Sequence, residues 1–142
     1  MFARMLIVTL SFLLTAPTFA MVGETWQHHI DAWEQRDVDA IAQDYTENSL
    51  LILNGNTFRG TDAIKEVFRQ LFTIFDSGEN RIDPVIIEDR IIYITWHFRP
   101  TAQEEFFGTD TFVIEHGKIS VQTIASPLYH SFPICREGEL CM

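Results

Sequence analysis

The sequence predicts an α+β domain, with three N-terminal helices packed on a strongly curved, mostly antiparallel sheet. Three observations predict it. Apolar residues recur at helical spacing in three segments of the first half of the chain. A short hairpin signal, "NSLLILNGN", interrupts those helices. From Arg81 onward the chain turns to long extended runs separated by turn residues.

The first twenty residues, "MFARMLIVTLSFLLTAPTFA", stand outside the fold. Arg4, the apolar run Met5 to Leu14, and small residues at Thr18 and Ala20 form the pattern of a secretory signal peptide. The run is too short for a comfortable membrane span. The residue directly after the cleavage point is Met21 and not a cysteine, so a lipoprotein anchor is not indicated. The expectation is an exported protein, periplasmic or secreted, with no stable membrane span after cleavage. An uncleaved anchor, or a cytosolic protein starting at Met21, are the alternatives. The division expected is a signal peptide over 1–20, one domain over 21–126 and a tail over 127–142.

A first helix begins at Glu24, with Trp26, Ile30 and Trp33 on one stripe and His29 beside them, and it ends near Arg36. Asp37 is placed to cap a second helix, buried through Val38, Ile41, Ala42 and Tyr45. Asn54-Gly55 then turns one short strand into another, which Gly60 ends. Thr61 is placed to cap a third helix, with Asp62 in its first turn. Ile64, Val67, Phe68, Leu71, Phe72 and Phe75 form its apolar face, and "SGEN" stops it. "RIDPVIIED" is a strand whose Pro84 argues for an edge or a bulge. "RIIYITWHFRP" is a long strand ended by Pro100, and "EEFFGTDTFVIE" and "KISVQTIASPL" pair through a turn at His116-Gly117.

Charge and motif content exclude several functions. The formal charge is −10, and −11 for the 122 residues left without Arg4 and the rest of the leader. So acidic a small domain repels phosphate backbones, and nucleic acid is not an expected partner. The twelve Phe, three Trp and three Tyr suffice for a core or an apolar cavity. The histidines at 28, 29, 97, 116 and 130 have no ligand spacing on a helix, so no metal is expected. With no phosphate loop and no GxSxG elbow, no cofactor is expected either. Cys135 and Cys141 either close a small loop or remain free thiols.

One residue breaks the pattern. Alternation puts Phe106, Gly108, Asp110, Phe112 and Ile114 on one strand face, which is apolar except for Asp110. Either Asp110 lines a pocket, where burial raises its pKa, or it sits near a strand end with a structural partner. His29 is a candidate to face it across such a pocket, or else a satisfied core histidine. On the preceding strand, Ile92, Ile94, Trp96 and Phe98 form the better inner set. Tyr93, Thr95, His97 and Arg99 then face out. His97 is the site candidate if the faces are reversed, and Gln122 and Tyr45 are weaker candidates of the same kind.

Three stretches, "AWEQRDVDAIAQDYTENSLLI", "FRGTDAIKEVFRQLF" and "DTFVIEHGKI", resemble the SnoaL-like, or NTF2-like, superfamily, over roughly residues 24 to 126. The resemblance implies a cone-shaped fold around a deep apolar pocket, and homodimers through the open sheet face. It places Asp110 where ketosteroid isomerase has the protonated acid of its oxyanion hole, and His29 where that enzyme has a tyrosine. The position of that enzyme's general base is Leu53, beside Asn54, and neither can abstract a proton. Two functional readings follow. One is an exported pocket protein that binds a small hydrophobic molecule through Trp26, Trp33, Tyr45, Trp96 and Phe112. The other is an acid–base lyase, isomerase or hydrolase using Asp110 with His29.

Overall fold

The computed structural model describes residues 18–101, 104–136 and 138–139. Helix α1 (Thr18–Glu34) is followed by α2 (Val38–Gln43), a hairpin of β1 (Leu50–Leu53) and β2 (Asn56–Arg59), and α3 (Thr61–Phe75). Four longer strands follow: β3 (Gly78–Glu88), β4 (Ile91–Pro100), β5 (Phe106–Glu115) and β6 (Lys118–Ala125). A short α4 (Leu128–Ser131) closes the described chain. The six strands form one sheet in the order β2-β1-β6-β5-β4-β3, antiparallel except where β1 meets β6. The α+β class and the mostly antiparallel sheet are those the sequence predicts.

Local signals account for most elements. The Asp37 side chain accepts from the Asp39 and Ala40 amides at 3.0 and 2.9 Å, which starts α2. Asn54 and Gly55 both take positive φ, as a two-residue hairpin turn requires. All six apolar residues expected on α3 are buried. Pro84 lies on the edge strand β3 and within a register shift between Ile82 and Val85, so both of its expected roles hold.

Four boundaries differ from expectation. Helix α1 starts at Thr18 rather than Glu24 and crosses the expected cleavage point after Ala20. Its first turns have a seat: Val22 is buried, and the Thr25 hydroxyl donates to Gly117 O at 3.0 Å across the β5–β6 turn. The cap of α3 is Gly60, at φ 83°, with Thr61 already helical. Gly60 holds that conformation while its amide donates to Ser49 O. Strand β3 begins at Gly78, inside the segment expected to be a stop, because Gly78 pairs with Pro100. Finally, β6 ends at Ala125 and the expected tail contains α4, which buries Leu128 and Tyr129. Cys135 is disulfide-bonded. Cys141, the partner the sequence suggests, lies outside the described residues.

Candidate functional site

The inner face of the sheet is set by register. On β5, Asp110 stands opposite Ile94 of β4 and Ile124 of β6. Its hydrogen bonds run diagonally, one to each neighbouring strand. Trp96 Nε1 donates to Oδ1 at 2.8 Å, and Gln122 Nε2 donates to Oδ2 at 2.9 Å. The Tyr45 hydroxyl in turn donates to Gln122 Oε1. This chain fixes the Gln122 amide orientation, since its NH2 must face the carboxyl. Burial pushes the Asp110 carboxyl up to about 6, and the two donated hydrogen bonds pull it only part of the way back. Burial, then the nearby carboxylates of Asp44 and Asp110, push the Tyr45 hydroxyl well above its ordinary range, so it stays a donor.

Asp110 closes the inner end of a cavity. Trp26, His29, Ile30 and Trp33 of α1 form one wall and Phe68, Leu71 and Phe75 of α3 another. Asn80, Ile82, Ile94, Trp96, Phe112, Gln122 and Ile124 of the sheet, with Tyr129 of α4, complete the lining. The side chains leave a free volume of about 40 Å³ between them, enough for about three waters. Phe68, Phe75 and Phe112 therefore narrow the cavity without filling it. It continues outward into a groove between α1 and the start of β3, which shares Trp26, Ile30, Trp33, Asn80 and Ile82 and adds Glu34 and Arg36.

His29 departs from the pairing considered for it. Its Nδ1 is 3.0 Å from Asp44 Oδ2, while His28 Nδ1 is 2.6 Å from Asp44 Oδ1. Asp110 is engaged by Trp96 and Gln122 instead. The cause is the tight turn from α1 into α2, which brings the buried Asp44 at the end of α2 under both histidines. With each Nδ1–H donated to the Asp44 carboxyl, Nε2 is the ring nitrogen of His29 left for another partner. The ring is buried on the cavity wall, 5.2 Å from Phe112 and 5.8 Å from Phe68, centroid to centroid.

Of the other candidates, Trp26, Trp33, Trp96, Phe112 and Gln122 line the cavity. Tyr45 does not, because it stands behind Gln122, with its hydroxyl used there. His97 faces the outer side of the sheet, where it meets Glu105 at 3.1 Å and Phe107. Asn54 is structural: its side chain bonds the Ser126 backbone at both ends, and Leu53 is buried in the core. Asp44 and Asn80 are the polar residues that sequence reasoning missed. Asp44 had one signal, its place directly before the buried Tyr45; Asn80 had none. Among the described residues no group of His, Cys, Asp and Glu is arranged to hold a metal ion. No helix among them is long and apolar enough to cross a membrane.

A profile of the SnoaL-like domain matches residues 26–122, most of the chain. The chain belongs to the SnoaL-like domain family. A search of curated proteins finds no match. Solved structures share the fold at low identity. A protein described as a SnoaL-like polyketide cyclase from Jannaschia sp. CCS1 is 15% identical, with 84% of this chain and 94% of that chain covered and a TM-score of 0.67. A steroid delta-isomerase from Pseudomonas aeruginosa is 13% identical, with 79% and 83% covered and a TM-score of 0.67. A de novo designed protein with a curved β-sheet is 12% identical, with 79% and 90% covered, also at 0.67. At these identities the likeness is one of fold, and a fold does not by itself give a function. In this SnoaL-like domain Asp110 and His29 line the same cavity.

Proposed function

We propose that this chain is an exported SnoaL-like protein that binds a small, largely apolar molecule bearing one hydrogen-bond acceptor, and that this acceptor meets Asp110. The supporting observation is a buried carboxyl, held by Trp96 and Gln122, at the inner end of an aromatic-walled cavity. In its protonated form Asp110 has one O–H to donate to a carbonyl or ether oxygen. In its ionised form it repels such an oxygen. A steroid, the substrate class of one structural neighbour, is an apolar molecule of this kind. The narrow open volume requires a two-ring ligand to move side chains at the outer end, where Trp26 and Trp33 are only partly buried.

Tryptophan fluorescence reads this binding, because Trp26, Trp33 and Trp96 all line the cavity. Titration with 4-phenylcyclohexanone should give an affinity that falls about tenfold or more between pH 5.5 and 8, as the protonated fraction shrinks. Asp110→Asn should make the affinity independent of pH. No response at any pH, or a flat wild-type profile, would overturn the reading.

One observation favours a second, catalytic reading. Asp44 holds His29 by Nδ1, the arrangement by which a carboxylate orients an imidazole base. His29 would then abstract a proton while Asp110 donates to the oxygen. The same ketone in D2O distinguishes the two: protein-catalysed exchange of its α-hydrogens, lost in His29→Ala, supports catalysis, and no exchange leaves binding alone. Export and a homodimer through the open sheet face complete the proposal. Native mass spectrometry of exported material should show a dimer of chains beginning at Met21, and a monomer or an intact leader counts against the respective part.

A further inference from the structure

Among the described residues, one buried side-chain polar atom has no hydrogen-bond partner: Asn80 Oδ1. Buried polar groups are nearly always paired, and an exception calls for an explanation. Its position supplies one. Asn80 lies on β3 and lines both the cavity and the groove leading into it, whereas Asp110 lines the cavity alone. Two polar groups near it are already engaged. Arg36 donates to Asp76 at 2.9 Å and to Trp33 O at 2.8 Å. At the inner end, Gln122 bridges Asp110 and Tyr45.

We infer that Asn80 is a specificity-determining residue, and that the ligand is an elongated apolar molecule with a hydroxyl or N–H donor at the end opposite its acceptor. The inference rests on the binding reading above and adds the second polar end. Register sets the length. Asn80 pairs with Phe98, and Phe98 with Phe106, four residues before Asp110. Four residues span roughly 13 Å along the strand and two strand spacings roughly 10 Å across the sheet, about 16 Å in all, which the sheet's curvature and the two inward-reaching side chains shorten. A rigid two-ring molecule with an oxygen at each end fits that separation, and a single ring does not. The apolar walls between the ends, Ile82, Trp33, Phe75 and Trp96, offer the middle of such a molecule no polar contact.

Three probes of one shape test this by the same fluorescence titration at pH 5.5: 4-phenylcyclohexanone, 4-(4-hydroxyphenyl)cyclohexanone and 4-(4-methoxyphenyl)cyclohexanone. The phenol should bind the wild-type protein about tenfold more tightly than the unsubstituted ketone. The methyl ether, which cannot donate, should gain nothing. Asn80→Leu should remove the preference for the phenol, so that the variant binds phenol and ketone equally. If the wild-type protein binds phenol and ketone equally, or gains as much from the ether, the role of Asn80 is overturned while the binding reading stands. If it binds none of the three, both fall. The wild-type comparison needs no variant, so poor folding of Asn80→Leu would not blunt the test.

Discussion

At Gly108 there is no room for a methyl group. A Cβ built there would stand 2.0 Å from Trp96 Cζ2 and 2.3 Å from Cε2. Gly108 and Trp96 are register partners on neighbouring strands, so the indole lies over bare backbone and reaches Asp110 two residues along. Gly108→Ala must displace the indole of Trp96. Overpacking of this kind costs about 1–3 kcal/mol, and the lost hydrogen bond adds to it. Urea unfolding should show that loss. Overpacking alone would give the same loss, so the carboxyl 13C shift of Asp110 is the sharper measure. Losing the Trp96 donor, which lowers the Asp110 pKa, should move its midpoint above about 6. An unchanged midpoint would show that Trp96 keeps its place. The sequence shows that Asp110 and Gly108 share a face, because alternation needs only one strand. It does not show that Trp96 and Gln122 are the partners, because diagonal neighbours depend on the register of three strands.

Elements were legible in proportion to the length of their pattern. The six apolar residues of α3 repeat over four turns, and every one is buried. The pair Leu128-Tyr129 in α4 is too short to show a period, so a buried helix there passes for a tail. The start of α1 was hidden for another reason. Its first turns are held by the distant β5–β6 turn, through Thr25 and Gly117, and no local signal reports that contact. The same limit explains His29. Its stripe on α1 points it inward correctly, but its partner comes from the end of α2. Arg36, at φ 55°, and the bond from Asp37 N to Ala32 O reverse the chain so that Asp44 comes beneath α1. A turn geometry thus chose between the two carboxylates, Asp44 and Asp110, that a buried histidine could meet.

For the whole molecule, the cost of the site should appear as a pH dependence of stability. The chain carries a formal charge of −10, and its many surface carboxylates titrate in the acid range along with Asp110. Comparing the wild-type protein with Asp110→Asn cancels those shared titrations. The Asp110 pKa rises from 3.8 in an unfolded chain to about 6 when folded. The folded state therefore prefers the protonated acid. The neutral site is fully favourable below about pH 4, loses that advantage as pH rises to about 6, and is constant beyond. The span corresponds to about 3 kcal/mol, an upper figure. An asparagine imitates the neutral acid, and the Gln122 amide can reverse to accept from it while Tyr45 accepts from Gln122. The two proteins should be similar near pH 4, and the variant more stable above pH 6.5 by up to that amount, measured by urea unfolding from pH 4 to 8. A difference that does not vary with pH would mean that Asp110 titrates alike in both states. A variant that gains stability at neutral pH while losing the pH dependence of ketone binding would show that this carboxyl is kept for its chemistry, since a surrounding protein built only for stability would replace it.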